Sequence, residues 1–127
     1  MLLANRIRKA RKHKCVVEGE LTARHWRLLA LDESYPNING SYFFELLELE
    51  LISGGVNVAL NKTATESSFH NADWDASTAV DGSLGQPFWQ SAVLSSPQWI
   101  AVDLGAEYTI ETLRFYARDR GYLPQTA

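Results

Sequence analysis

Cysteine is nearly missing from this chain. Cys15 is the only one in 127 residues, which excludes an internal disulfide and a cysteine-rich zinc site. A modestly buried thiol is its expected role. Long apolar runs are missing too: no stretch approaches the roughly 18 consecutive apolar residues of a membrane span. The opening MLLANRIRKARKHKC carries charge where a signal peptide needs an apolar segment, so the chain as it stands reads as lacking an export signal. Catalytic signatures are absent as well. There is no Gly-x-Ser-x-Gly elbow, no His-Glu-x-x-His and no phosphate-cradling glycine loop. Glu48 and Glu50 alternate on one strand, and nothing places a partner acid across a substrate from them. The chain therefore reads as a non-enzyme.

Charge is unevenly placed. Residues 1–14 hold Arg6, Arg8, Lys9, Arg11, Lys12 and Lys14 with no Asp or Glu, and the remainder carries a balance of -9. An acidic body is a poor grip for phosphates, so specific nucleic-acid binding is not expected. The basic head reads as a solvated or frayed arm over residues 1–22 with a short basic helix over 5–14, and an anionic surface, nucleic acid or an acidic partner is the alternative.

From Ala23 onward the texture is β. RHWRLLALD alternates Trp26, Leu28 and Ala30 against Arg27, Leu29 and Leu31. ESYPNINGS is a loop by its Pro, Asn and Gly content. In FFELLELELI, helix propensity competes with strand alternation of Leu47, Leu49 and Leu51 against Glu48 and Glu50. The alternation predicts a bend at Phe44–Glu45, then a strand over 47–52. Ser53-Gly54-Gly55 breaks it, and VNVALNKTATESS suits an edge strand. Residues 67–96 form a long polar stretch, which in a compact domain is functional or tied by an ion. QWIAVDLG points Ile100, Val102 and Leu104 one way. Ile110 and Leu113 are three apart, so a corner or bulge is expected at Glu111–Thr112. Short strands with long polar connections point to an all-β sandwich over residues 23–127.

NVALNKTATESS, AVDG (79–82), FWQS (88–91), QWIAVDLG (98–105) and YTIETLRFYARD (108–119) together resemble the discoidin family. These are the factor V/VIII type C, galactose-binding-like jelly rolls, which include family 32 carbohydrate-binding modules. The match covers the opening half of such a module, residues 56–127. ARHWRLL and FFELLELEL resemble its last two strands, so residues 23–52 read as the tail placed before the head. Three arrangements fit: a junction of two tandem modules, a permuted or reduced sandwich, and a sandwich completed by strands of another chain. The permuted or reduced sandwich is the reading preferred, because the termini of such modules lie side by side. Open strand edges would then invite homo-oligomerisation.

The resemblance also implies sites. Asp81, nearby loop oxygens from Ala79 and Ser83, and Glu48 on the closing strand would hold a structural calcium ion, since calcium takes hard oxygen ligands. An Asp-Gly turn beside a solvent-facing Glu48 is the competing reading. Arg118, at the end of the strand 113–117, would hydrogen-bond a glycan hydroxyl, as its position in sugar-binding relatives implies. Asp119 would accept from the same sugar or pair with a neighbouring arginine. Trp74 and His70 in the loop after the first strand would add an apolar plane and a directional hydrogen bond, against loop packing for Trp74 and simple exposure for His70. Trp89 and Trp99 read as core or core-edge residues. The fucose-binding signature of F-type lectins is missing, and so are the membrane spikes of the clotting-factor domains.

The function expected is a non-catalytic binding module for cell-surface carbohydrate, extracellular or virion-borne. The strands with Trp26-Arg27 and Glu48-Leu49-Glu50 resemble phage-borne copies, as in a tail, fibre or capsid decoration. A structural decoration protein with virion partners and no sugar is one alternative. A piece of a secreted multi-module glycosidase or adhesin is another.

Overall fold

The computed structural model describes residues 2–5, 14–30, 44–92 and 98–117, with residues 2–5, 14, 15, 17 and 30 described by backbone alone. The fold is all-β, in the galactose-binding-like manner, with two short 3-10 turns as its only helical elements among the described residues.

Two long strands form the spine. β2 (Lys14–Ala30) and β7 (Gln98–Ala117) run antiparallel from Lys14↔Tyr116 to Ala30↔Gln98. Strands are usually 3–10 residues, roughly, because twist bends longer ones out of a flat sheet. This ladder bends at two irregularities. Gly19 and Glu20 stand opposite Glu111 alone, and Leu104–Glu107 stand opposite Arg24 alone. Gly105 has φ 82, which a side chain disfavours, so glycine permits the second bend. Such bulges re-aim a strand and let one ribbon serve two faces of a core.

The other edge of β7 is shared. Its first half pairs with β5 (Thr63–Glu66), through Thr63↔Asp103 to Glu66↔Ile100. Its second half pairs with β3 (Glu45–Ser53), through Leu46↔Ala117 to Ile52↔Thr112. β3 turns at Gly54 and Gly55, both with positive φ, into the short β4 (Val56–Asn57). β6 (Trp89–Gln90) lies against the start of β3, and β1 (Leu2–Asn5) runs parallel to the end of β2.

One core joins both halves of the spine. Trp26, Leu28, Ile100, Val102 and Leu104 from one half cluster with Leu46, Leu49, Leu51, Ile110, Leu113 and Phe115 from the other. Trp89 and Phe115 are the largest fully buried side chains, each worth roughly 1.5–3 kcal/mol of burial. Trp89 meets Phe44 edge-on at 5.2 Å, and its Nε1 donates to the Ser68 carbonyl at 2.8 Å.

Several expectations are met at the level of residues. Trp26 and Leu28 face inward and Arg27 outward; Ile100, Val102 and Leu104 share the inner face. The inward face switches between Ile110 and Leu113, with the bulge of Gly19–Glu20 set against Glu111. Trp89 is core, and Trp99 is half-buried at its edge.

Others differ. The strand β2 starts at Lys14, so residues 14–22 belong to the sheet rather than to the arm. The cause is the pairing of Val16, Val17 and Leu21 with the second half of β7, a long-range contact that overrides the local charge. Asn5 and Lys14 are in strands, so a helix does not span 5–14 whole; residues 6–13 lie outside the described residues. The loop at 33–41 also lies outside them, as does the Cys15 side chain, although its backbone pairs with Phe115.

Candidate functional site

The long polar stretch is ordered by its own side chains. Asn71 caps the first 3-10 turn (Ala72–Trp74) by accepting from the Asp73 amide at 2.9 Å. Asp75 caps the second (Ala76–Ala79), accepting from the Ser77 amide at 3.0 Å and the Ser77 hydroxyl at 2.6 Å. The Asp81 carboxylate accepts from the Ser83 amide at 2.9 Å, and the Ser83 hydroxyl accepts from the Gly85 amide at 3.0 Å. Short polar side chains that bond backbone two residues ahead make a turn without a ladder.

The stretch is then fastened to the sheet. Ala76, Ala79 and Val80 are buried in the core. The Glu66 carboxylate accepts from the Ala76 amide at 3.1 Å, and the His70 amide donates to the Gln90 carbonyl at 2.7 Å. Trp74 is half-buried and sets its ring edge-on against Phe88, with centroids 4.7 Å apart. Loop packing therefore accounts for part of the Trp74 surface, and the remainder faces out. His70 is exposed. Arg118 and Asp119 lie outside the described residues, immediately after the last residue of β7.

Glu48 and Asp81 are brought together. A register shift in β3 between Leu46 and Glu48 keeps Leu46, Leu49 and Leu51 all in the core and turns Glu48 to the opposite face. The loop at Asp81–Gly82 covers that face, so Glu48 is only 1% exposed and does not face solvent. Its Oε2 accepts from the Gly82 amide at 2.7 Å, while Oε1 is buried with no hydrogen-bond partner. Burial pushes its pKa up to about 8, against the pull of the Gly82 N–H, and the charges of Asp81 and Glu50 add to the rise.

A hard cation fits this donor set. An ionised carboxylate with an orphaned oxygen in a buried place is costly unless a cation or proton meets it. Among the described residues no three His, Cys, Asp or Glu side chains cluster to hold a metal. A cation at Glu48 and Asp81 would thus complete its shell with carbonyl, hydroxyl or water oxygens, which suits calcium rather than a transition metal. Ser83 retains a lone pair for such a role after accepting from Gly85. The methyl of Ala79 is buried, so only its carbonyl is of use.

A second polar group escaped the sequence reading. Arg24 donates to both oxygens of Asp103, at 2.7 and 3.0 Å, and His25 Nε2 stands 3.6 Å from the same carboxylate. Arg24 and the Gly105 amide hold Asp103 well below the usual carboxylate range. The outward alternation of RHWR hinted at these side chains, but their partner is set by the β2–β7 register, which no local pattern reveals.

A profile of the F5/8 type C domain matches residues 63–127, just over half of the chain. No curated protein and no solved structure gives a significant match.

Proposed function

The chain belongs to the F5/8 type C domain family, and from that premise we propose that it is a non-catalytic module that recognises cell-surface carbohydrate through the loops beside the end of β7. Domains of this family are generally non-catalytic binding modules for carbohydrates or proteins, and they are typically extracellular. The observation that carries the reading is the loop at 67–88. It is polar and exposed at its tip, yet fixed by side-chain caps and by Trp74 on Phe88. A preformed polar surface beside an aromatic ring suits a sugar, because little order remains to be imposed on binding. Arg118 supplies donors, Trp74 an apolar edge, His70 a directional bond and Asp119 an acceptor. Calcium at Glu48 and Asp81, with oxygens from Ala79 and Ser83, would hold the loop in place and take no part in chemistry.

A glycan array tests this reading. Binding to a defined set of glycans is expected, lowered at least tenfold by Arg118→Ala and several-fold by Trp74→Ala. Signals unchanged in both variants would remove the site from these loops. The virion setting rests on the resemblance of the β2 and β3 strands to phage-borne copies, and the neighbouring coding sequence tests it. Structural virion genes there are expected; glycosidase modules in the same reading frame would contradict it.

A further inference from the structure

We propose that the outer face of the β2–β7–β5 sheet is a second ligand site, distinct from the loop end, which binds a carboxylate-bearing saccharide with Arg27 as the anchor. The face bears a groove of about 350 Å³ lined by His25, Arg27, Thr63, Thr65, Ala101 and Asp103. That volume lies at the small end of ligand pockets, roughly 300–1,000 Å³, and suits a mono- or disaccharide.

The register explains the groove. Arg27 and Thr65 both pair with Ala101, so a methyl group lies between two longer side chains and makes a floor. One row further, His25 and Thr63 both pair with Asp103. Neighbouring strands are roughly 4.8 Å apart and same-face residues roughly 6.8 Å apart along a strand, so the two rows frame one sugar ring. Two threonine hydroxyls on one wall offer both donors and acceptors to sugar hydroxyls.

Charge selects the ligand. The chain is acidic overall, at -3, but among the described residues of this face Arg24 and Arg27 stand with Asp103, and His25 lies beside the same carboxylate. Asp103 is already committed to two Arg24 bonds and the Gly105 amide. Arg27 Cζ stands 5.5 Å from the centroid of the Trp99 ring, a cation–π contact beside the groove. A flat guanidinium presents a pair of parallel donors that match a planar carboxylate. One unspent cation calls for one carboxylate, as in a uronic acid, whereas a densely sulfated chain calls for a cluster.

The site goes beyond the loop reading, and one titration separates the two. The full chain, labelled with 15N, is titrated with a disaccharide of galacturonic acid, with its neutral methyl ester and with a sulfated disaccharide. The acid is expected to shift the amides of Arg27, Thr65, Ala101 and Asp103, with the ester at least tenfold weaker and the sulfated sugar weaker than the acid. Arg27→Gln should cost at least tenfold and Thr65→Val several-fold, while Arg27→Lys falls between, since it keeps charge but loses the fork. Trp74→Ala should leave this binding unchanged. Arg27 is exposed, so its variants should melt as the wild type does. No binding of the acid, equal binding of the ester, tighter binding of the sulfated sugar, or an unaffected Arg27→Gln would each overturn the proposal.

Discussion

Glu48 concentrates the chemistry at the scale of single residues. Its folded pKa of about 8 lies above its ordinary 4.5. A raised carboxyl pKa means that the folded state binds the proton more tightly, so the stabilisation is complete below pH 4.5 and lost as pH rises through 8. Without calcium, stability should fall across that window by on the order of 3–5 kcal/mol, as read by urea unfolding. Glu48→Gln mimics the protonated form, and should flatten the profile and raise stability at pH 8. Calcium should raise the melting temperature of the wild type at that pH and leave Glu48→Gln unmoved. A wild-type profile as flat as that of the variant would contradict the buried, unpaired carboxyl. The sequence made the pairing with Asp81 legible, through the family motif. It did not reveal the burial, because the bulge at Leu47 is written in the register with β7 and not in the alternation of Leu and Glu.

Glycines mark the same limit at the scale of elements. Gly105, with φ 82, lets β7 bend, and a Cβ there would meet open space. Gly82, with φ 84, would set a Cβ 3.0 Å from Leu60 Cδ1, and its amide serves Glu48. Gly105→Ala should therefore cost about 1 kcal/mol from backbone strain alone, and Gly82→Ala more, about 2 kcal/mol or beyond. Equal losses in chemical denaturation would mean that the Leu60 contact and the Glu48 bond carry no weight. The change of inward face between Ile110 and Leu113 was readable, since two apolar residues three apart break a period of two. The single continuous β7 was not readable, because Asp103-Leu104-Gly105 has the composition of a strand end. β2 was likewise cut short, its first half hidden behind a charged neighbourhood that only pairing with β7 resolves.

At the scale of the whole molecule, the described residues form a ladder bent around one core. Trp89, fully buried and bonded to Ser68, ties the polar loop to that core. Trp89→Ala should cost roughly 3–5 kcal/mol and lower the melting temperature with it. Among the described residues the first half of β2 pairs only with β7, and it exposes Val16 and Leu21 beside Glu18 and Glu20. Like charges on an edge oppose the self-pairing that open strand edges would otherwise invite, so light scattering should find a monomer; a stable dimer would instead support the homo-oligomer expected from the sequence, through strand sharing at β2. The fold class and its motifs were legible from end to end of the match, whereas the order of strands around β7 needed the structure. The most direct test of carbohydrate recognition by the loop end is an amide chemical-shift titration of the full chain with a neutral glycan taken from the array. Shifts confined to His70–Trp74 and Arg118–Asp119, and lost in Arg118→Ala, are the result expected. Binding that leaves those amides unmoved would contradict it.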